Sequence, residues 1–127
     1  MIPSLPSNSS KEVLSARSEE LLKKTGLWDI RHQKPGELSG GECQRTAVVR
    51  ALINKPSLVL ADEPTGSLDS RNASLLIDML VRLTGKNGSS MIMVTHSMKI
   101  AAQMDRIYRL QDGKIVPGEQ ESGRVAD

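Results

Sequence analysis

Leu58-Val59-Leu60-Ala61-Asp62-Glu63-Pro64-Thr65-Gly66-Ser67-Leu68-Asp69 decides the fold of this chain. Leu58 to Ala61 is an unbroken apolar run, the pattern of a strand buried on both faces of a parallel sheet. Asp62 and Glu63 follow at once, and Pro64 breaks the strand. A helix is expected from Asp69 or Ser70, with Ala73, Leu76, Ile77, Leu80 and Leu83 at helical spacing as its buried stripe. The Gly85–Gly88 stretch is its exit turn, and Met91 to Thr95 reads as a second buried strand that ends at His96. Strand, helix and strand in that order indicate an α/β domain with a parallel sheet.

Upstream, residues 1–8 read as a loop rich in Pro and Ser. Ser9 and Glu12 have the spacing of a capping box, in which a hydroxyl and a carboxylate satisfy each other's backbone N–H groups. A helix is therefore expected from Ser9 to about Lys24, with Val13, Leu14, Leu21 and Leu22 on its apolar face and Gly26 as its stop. Residues 27–37 form a connecting loop. Ser39 and Glu42 repeat the capping spacing and open a helix to about Ile53, with Ala47, Val48, Ala51 and Leu52 as its apolar residues. Lys55-Pro56 ends it. Downstream of His96 the pattern gives a short helix at 98–103. A hairpin of Ile107–Leu110 and Lys114–Val116 then turns at Asp112-Gly113, a pair suited to a type I′ turn. The polar stretch from Pro117 to Asp127 is expected to be disordered.

The 127 residues fit one domain or a substantial piece of one. A net charge of +2 gives no electrostatic ground for a nucleic-acid or lipid partner, and Trp28 and Tyr108 are too few aromatics for base stacking. The lone Cys43 cannot close an internal disulfide, which favours a reducing compartment. No apolar run approaches the roughly 18 residues of a membrane span. Nor does the N-terminus have the basic and apolar regions of a secretion signal.

Three stretches suggest chemistry, and each has a plainer reading. In Leu38-Ser39-Gly40-Gly41-Glu42 the glycines let backbone approach a ligand closely, at a helix end that presents free N–H groups to an anion. The plainer reading is an ordinary capping box. Asp62 and Glu63 stand at the carboxyl end of a strand, where open α/β sheets bind ligands. Asp62 suits Mg²⁺, and Glu63 suits a water that attacks phosphorus. The plainer reading is an acidic turn. His96, after the second strand, is more often a structural residue, and Asp69 doubles as a helix N-cap.

Taken in order, Leu38-Ser39-Gly40-Gly41-Glu42 with Gln44-Arg45, then Leu58 through Asp69, then Val94-Thr95-His96 closely resembles the ABC ATPase family. The likeness covers nearly all of the chain from about Met1 to Val116. It implies a partial P-loop NTPase domain of the ABC type, with a helical subdomain and a parallel-sheet core. Ser39, Gly40, Gly41 and Glu42 would be the signature loop, which binds the γ-phosphate of ATP held by the opposite subunit of a head-to-tail dimer. Asp62 would act on Mg²⁺, largely through water, and Glu63 would be the catalytic base or position the attacking water. Asp69 would belong to the loop crossing the dimer interface, and His96 would contact the γ-phosphate. The implied cofactors are ATP and Mg²⁺, and the implied partners are a second ATPase and transmembrane permease subunits, with no nucleic acid.

Ala61 through Asp69 looks like the bacterial lipoprotein-releasing, macrolide-export and cell-division group, with lipoprotein release the first choice. Such a subunit is expected in the cytoplasm, on the inner face of the bacterial inner membrane. The expected division is residues 1–56 as helical subdomain, 57–116 as the C-terminal part of the ATPase core, and 117–127 as tail. Cys43 and Ser97 depart from the family pattern at positions that perform no chemistry. The larger departure is that no G-x-x-x-x-G-K-[ST] loop occurs in the sequence. Without its backbone cradle, Asp62 and Glu63 face an empty phosphate site, so the chain alone is expected to have no ATPase activity. An alternative is a non-hydrolysing partner that docks on membrane subunits or on an intact ATPase.

Overall fold

A computed structural model describes residues 8–118, so residues 1–7 of the expected loop 1–8 and residues 119–127 of the expected disordered tail lie outside the described residues, while Asn8 opens a helix and Pro117 ends a strand. Two compact units divide between Met93 and Val94. The first holds α1 (Asn8–Lys24), α2 (Gly40–Leu52), β1 (Leu58–Asp62), α3 (Ser70–Asn87) and nearly all of β2 (Ser90–Val94). Short 3₁₀ turns at Trp28–Ile30 and Pro35–Glu37 interrupt the connection that the sequence reads as plain loop.

Each helix end in this unit has an identifiable cause. At the end of α1, Gly26 takes φ of +72°, a left-handed conformation that costs glycine nothing. The Gly26 N–H then donates to the Lys23 carbonyl at 3.2 Å and the Leu27 N–H to Leu22 at 2.8 Å, closing a Schellman motif. Leu27, only 2% exposed, is the apolar residue that commonly accompanies such a turn. The end of α2 is met by Arg17, whose Nη2 donates to the Leu52 carbonyl at 3.2 Å. Gly88 stops α3 with φ of +66°.

The core is made of Leu21, Leu27, Val48, Val49, Leu52, Val59, Leu76, Ile77, Leu80 and Leu83. Leu52 and Ile77 have no exposed surface, and burying a side chain of that size stabilises the fold by roughly 1.5–3 kcal/mol. The α3 stripe is therefore as the spacing predicts from Leu76 to Leu83, while Ala73, expected in it, is only half-buried. Other faces shift. Of the expected α1 face, Leu21 is buried, Leu14 and Leu22 are half-buried and Val13 is exposed. In α2 the buried residues are Val48, Val49 and Leu52, while Ala47 and Ala51 face out. Alanine side chains are too small to mark which side of a helix is covered.

β1 and β2 are neighbours in a two-stranded sheet. With α3 as the crossover between them, the pairing is the parallel one of a βαβ unit. The Ser90 N–H donates to the Ser57 carbonyl at 2.9 Å, and Ser89 Oγ donates to the Pro56 carbonyl at 2.6 Å, fixing the two strand starts side by side. The expectation of burial on both faces is corrected. Val59 is buried, but Leu58, Leu60 and Ile92 are 47%, 72% and 57% exposed. Successive side chains of a strand point to opposite faces, and only one face of this sheet is covered.

The second unit carries α4 (Met98–Ala101) and a hairpin of β3 (Tyr108–Gln111) and β4 (Lys114–Pro117). Ser97 caps α4, its Oγ accepting from the Ile100 N–H at 3.3 Å, and Ile100 is buried. The hairpin is antiparallel, with Gln111 opposite Lys114 and Leu110 opposite Ile115. Asp112 and Gly113 have φ of +49° and +74°, the two left-handed residues a type I′ turn requires.

Candidate functional site

Ser39 stands just before α2 with extended backbone, φ −67° and ψ 165°. Its Oγ accepts from the Glu42 N–H at 3.2 Å, and Glu42 Oε1 accepts from the Ser39 N–H at 3.0 Å. This is the capping box that the spacing predicts, complete in both directions. The Ser39 backbone N–H, then the Ser39 hydroxyl, hold the Glu42 carboxyl below the ordinary carboxylate value, with Arg45 adding a weaker pull. Glu42 is thus committed to fixing the turn. Gly40 and Gly41 form the first two positions of the helix, where backbone N–H groups have no partner within the helix.

What surrounds those glycines is less legible in sequence. A Cβ on Gly40 would lie 3.9 Å from Leu68, and one on Gly41 would lie 3.5 Å from Arg45 Nη1 and 3.9 Å from Asn72 Oδ1. The Ser39–Glu42 turn therefore sits against the start of α3 and the loop before it. Arg45 reaches back along α2 from four residues on, the distance at which helix side chains share a face. That spacing is the one signal from which its place could have been read. Asp69, between Leu68 and Asn72 in sequence, caps α3, its Oδ1 accepting from the Asn72 N–H at 2.8 Å.

Asp62 ends β1 and is exposed. Glu63 follows in a left-handed conformation, φ +45°, and is half-buried. The Gly66 N–H donates to the Glu63 carbonyl at 3.1 Å and the Leu68 N–H to the Thr65 carbonyl at 3.1 Å. This pair of turns carries the chain from the strand to Asp69. A non-glycine residue at positive φ is strained, and such strain concentrates at functional positions. The first unit thus brings Asp62, Glu63, Asp69 and the Ser39–Glu42 turn into one stretch of strand end, loop and helix starts. His96 is exposed, two residues beyond the end of β2.

Comparison with known proteins gives this arrangement its context. The ABC transporter domain profile matches residues 4–66, which hold both the Ser39–Glu42 turn and the Asp62-Glu63 strand end. The chain is 46% identical over 116 residues to the lipoprotein-releasing system ATP-binding protein LolD of Treponema pallidum (strain Nichols). It is 47% identical over 113 residues to the protein of the same name in Porphyromonas gingivalis (strain ATCC BAA-308 / W83). The chain belongs to the ABC transporter family. These alignments take in 91% and 89% of the ABC chain but only 51% and 52% of the relatives, so it spans about half the length of the curated relatives it matches.

The solved dimer of the bacterial ABC transporter cassette MJ0796 superposes on it with a TM-score of 0.72 at 35% identity, over 96% of this chain and 52% of that one. The post-hydrolysis dimer of the same cassette, bound to ADP and Pi, superposes with a TM-score of 0.73 at 34% identity, over 95% and 51%. The fold is accordingly a partial P-loop NTPase domain of the ABC type. Its donor set fits Mg²⁺. Among the described residues no group of three His, Cys, Asp or Glu is placed to hold a metal. Mg²⁺ asks for no such cage, since it keeps several waters and takes one or two carboxylates with the oxygens of a substrate phosphate. Asp62, exposed at the strand end, offers oxygens of that kind.

Proposed function

We propose that this ABC chain contributes the signature, metal, water-positioning and switch residues of an ATP-hydrolysing subunit that drives a bacterial lipoprotein-releasing transporter. The observation that carries the reading is the Asp62-Glu63 pair at the end of β1, linked by a strained turn to a loop that packs on the Ser39–Glu42 turn. The names of the relatives support lipoprotein release as the transported class.

In this reading Ser39, Gly40 and Gly41 offer a hydroxyl and two helix-terminal N–H groups to the γ-phosphate of ATP held by the opposite subunit of a head-to-tail dimer. Glu42 keeps that turn in shape. ATP and Mg²⁺ are the cofactors, and Mg²⁺, when bound, neutralises charge on the phosphate oxygens. Asp62 orients the water shell of the ion, Glu63 holds the attacking water and accepts its proton, and His96 donates to the γ-phosphate. Asp69, besides capping α3, belongs to the loop that meets the other subunit. Residues 1–56 act as the helical subdomain that faces transmembrane permease subunits, and 57–116 as part of the ATPase core. The subunit works on the cytoplasmic face of the inner membrane and binds no nucleic acid.

The sequence contains no G-x-x-x-x-G-K-[ST] loop, and that favours a second reading. Alone, the chain is a non-hydrolysing partner that docks on membrane subunits or on an intact ATPase and presents its signature turn to ATP held there. ATP hydrolysis by the purified chain, with and without a full-length homologous subunit, tests both readings. No turnover alone, with turnover of the mixture altered by the wild-type chain but not by Ser39→Arg, is the expected result. Hydrolysis by the chain alone that Glu63→Gln abolishes would show that the phosphate loop is dispensable and overturn the second reading.

A further inference from the structure

A groove of about 370 Å³ lies between the end of α1, the middle of α2 and the outer side of α3, within the first unit; neither Asp62 nor Glu63 lines it, and Arg45 is shared between it and the Ser39–Glu42 turn. Volumes of this order accommodate a bound side chain or small ligand. Its floor on α3 is Leu75 and Met79, four residues apart and so stacked on one face of the helix. Leu75 is 53% exposed although the buried stripe of α3, Leu76, Ile77, Leu80 and Leu83, is already complete without it. The helix therefore carries a second apolar strip that the core does not use.

Cations border this strip. Arg82 follows Leu75 by seven residues on the same face, roughly 10 Å along the axis at 1.5 Å per residue. Arg45 reaches the groove from α2. Among the described residues neither Arg45 nor Arg82 forms an ion pair. Arg45 Nε is buried with no hydrogen-bond partner, although buried N–H groups are nearly always satisfied. Lys24, also at the rim, is held by Glu20. Asp78 is the one carboxylate among the described residues that line the groove.

We propose that this groove docks an amphipathic protein segment, a short helix with an apolar side chain over Leu75 and Met79 and carboxylates toward its two ends, one beside Arg82 and one beside Arg45 at the start of α3. The exposed leucine supplies the anchor and the two guanidiniums, neither engaged in an ion pair among the described residues, supply register, since Arg binds carboxylates through a planar fork of donors. A purely anionic surface such as a lipid bilayer fits less well. Asp78 would face it directly, and the Leu75–Met79 strip would gain nothing from headgroups. The inference does not depend on ATP chemistry.

The test is fluorescence anisotropy of the full chain with a labelled synthetic peptide bearing Leu and Glu along one helical face. The same peptide with Gln for Glu and vesicles of phosphatidylglycerol serve as comparisons. The expected result is saturable binding of the Glu peptide that weakens about tenfold in Leu75→Asp and in Arg82→Glu, the scale of a well-placed interface residue. Binding also weakens with the Gln peptide and is unchanged in Lys114→Glu. Both altered positions are on the outer side of α3, so circular dichroism should remain that of the wild type. Three results overturn the proposal. The first is no binding at about 1 mM peptide, an affinity worth only ~4 kcal/mol. The second is equal weakening in Lys114→Glu, or loss in Leu60→Lys, which would place the peptide on general surface charge or on the open sheet face. The third is vesicle binding that Arg82→Glu abolishes while the peptide does not bind.

Discussion

Two residues show how local geometry and chemistry are tied in this chain. Glu42 is held charged by the Ser39 N–H and hydroxyl, so its carboxyl titrates below its ordinary value of 4.5 in the folded state. A carboxylate with a depressed folded-state value adds stability above its unfolded value, and that contribution is lost as pH falls through the folded value. The start of α2 should therefore be firm above about pH 4.5 and loosen below it. Ser39→Ala should return the Glu42 titration, followed by carboxyl NMR shifts, toward the ordinary value and cost about 1 kcal/mol as a lost N-cap. A titration unmoved by Ser39→Ala would detach Glu42 from the cap. Glu63 shows the opposite economy, a residue kept where the backbone disfavours it, at φ +45°. By denaturant midpoint, Glu63→Gly should be more stable than Glu63→Val by about 1–2 kcal/mol, because only glycine is at ease there and a β-branched side chain is worst. Equal stabilities would mean that the turn relaxes when the carboxylate leaves. The Ser39–Glu42 box and the Asp69 cap were legible because spacing alone implies them. The left-handed Glu63 was not, since no residue type announces it.

At the scale of elements, α3 was the most legible part of the molecule and β1 the least. The stripe from Leu76 to Leu83 has helical period, and a capping carboxylate and a terminal glycine fix both ends. From Leu76 onward the local signals agreed with the packing, and only Ala73, half-buried at the first turns, fell short. The contrast between neighbours on this helix is measurable. Ile77 has no exposed surface and Leu75 is 53% exposed. Ile77→Ala should destabilise by about 2–5 kcal/mol through lost burial and the cavity left behind, whereas Leu75→Ala should stay within about 0.5 kcal/mol as a surface change. Comparable losses in thermal or urea unfolding would mean that the outer strip of α3 is already covered in solution. β1 misled for a definite reason. A continuous apolar run records that both faces of a strand are made for burial, but it cannot say which face finds a cover within the chain. Val59 finds one, and Leu58 and Leu60 do not. The Ala47 and Ala51 positions of α2 were misread for a related reason, since alanine is common on covered and open helix faces alike.

At the scale of the whole molecule, the uncovered sheet face dominates behaviour. Leu58, Leu60 and Ile92 stand side by side on paired strands at 47%, 72% and 57% exposure. Scattered apolar residues are ordinary on a protein surface, but a contiguous patch on a sheet invites association. The strand pair also leaves unpaired backbone groups at its margins, a template for adding further strands. The chain spans about half the length of the curated relatives it matches. The chain alone is therefore expected to self-associate as concentration rises, and Leu60→Lys with Ile92→Lys should keep it monomeric by light scattering. Adding a polypeptide that carries the phosphate-cradling loop and its strand should suppress association of the wild type but leave the doubly charged variant unaffected. Lysines on that face would repel the same apolar cover that the wild type needs. If the wild type stays monomeric on its own and gains nothing from the added polypeptide, the exposed face is tolerated as it stands, and the chain acts in solution without a complementing half.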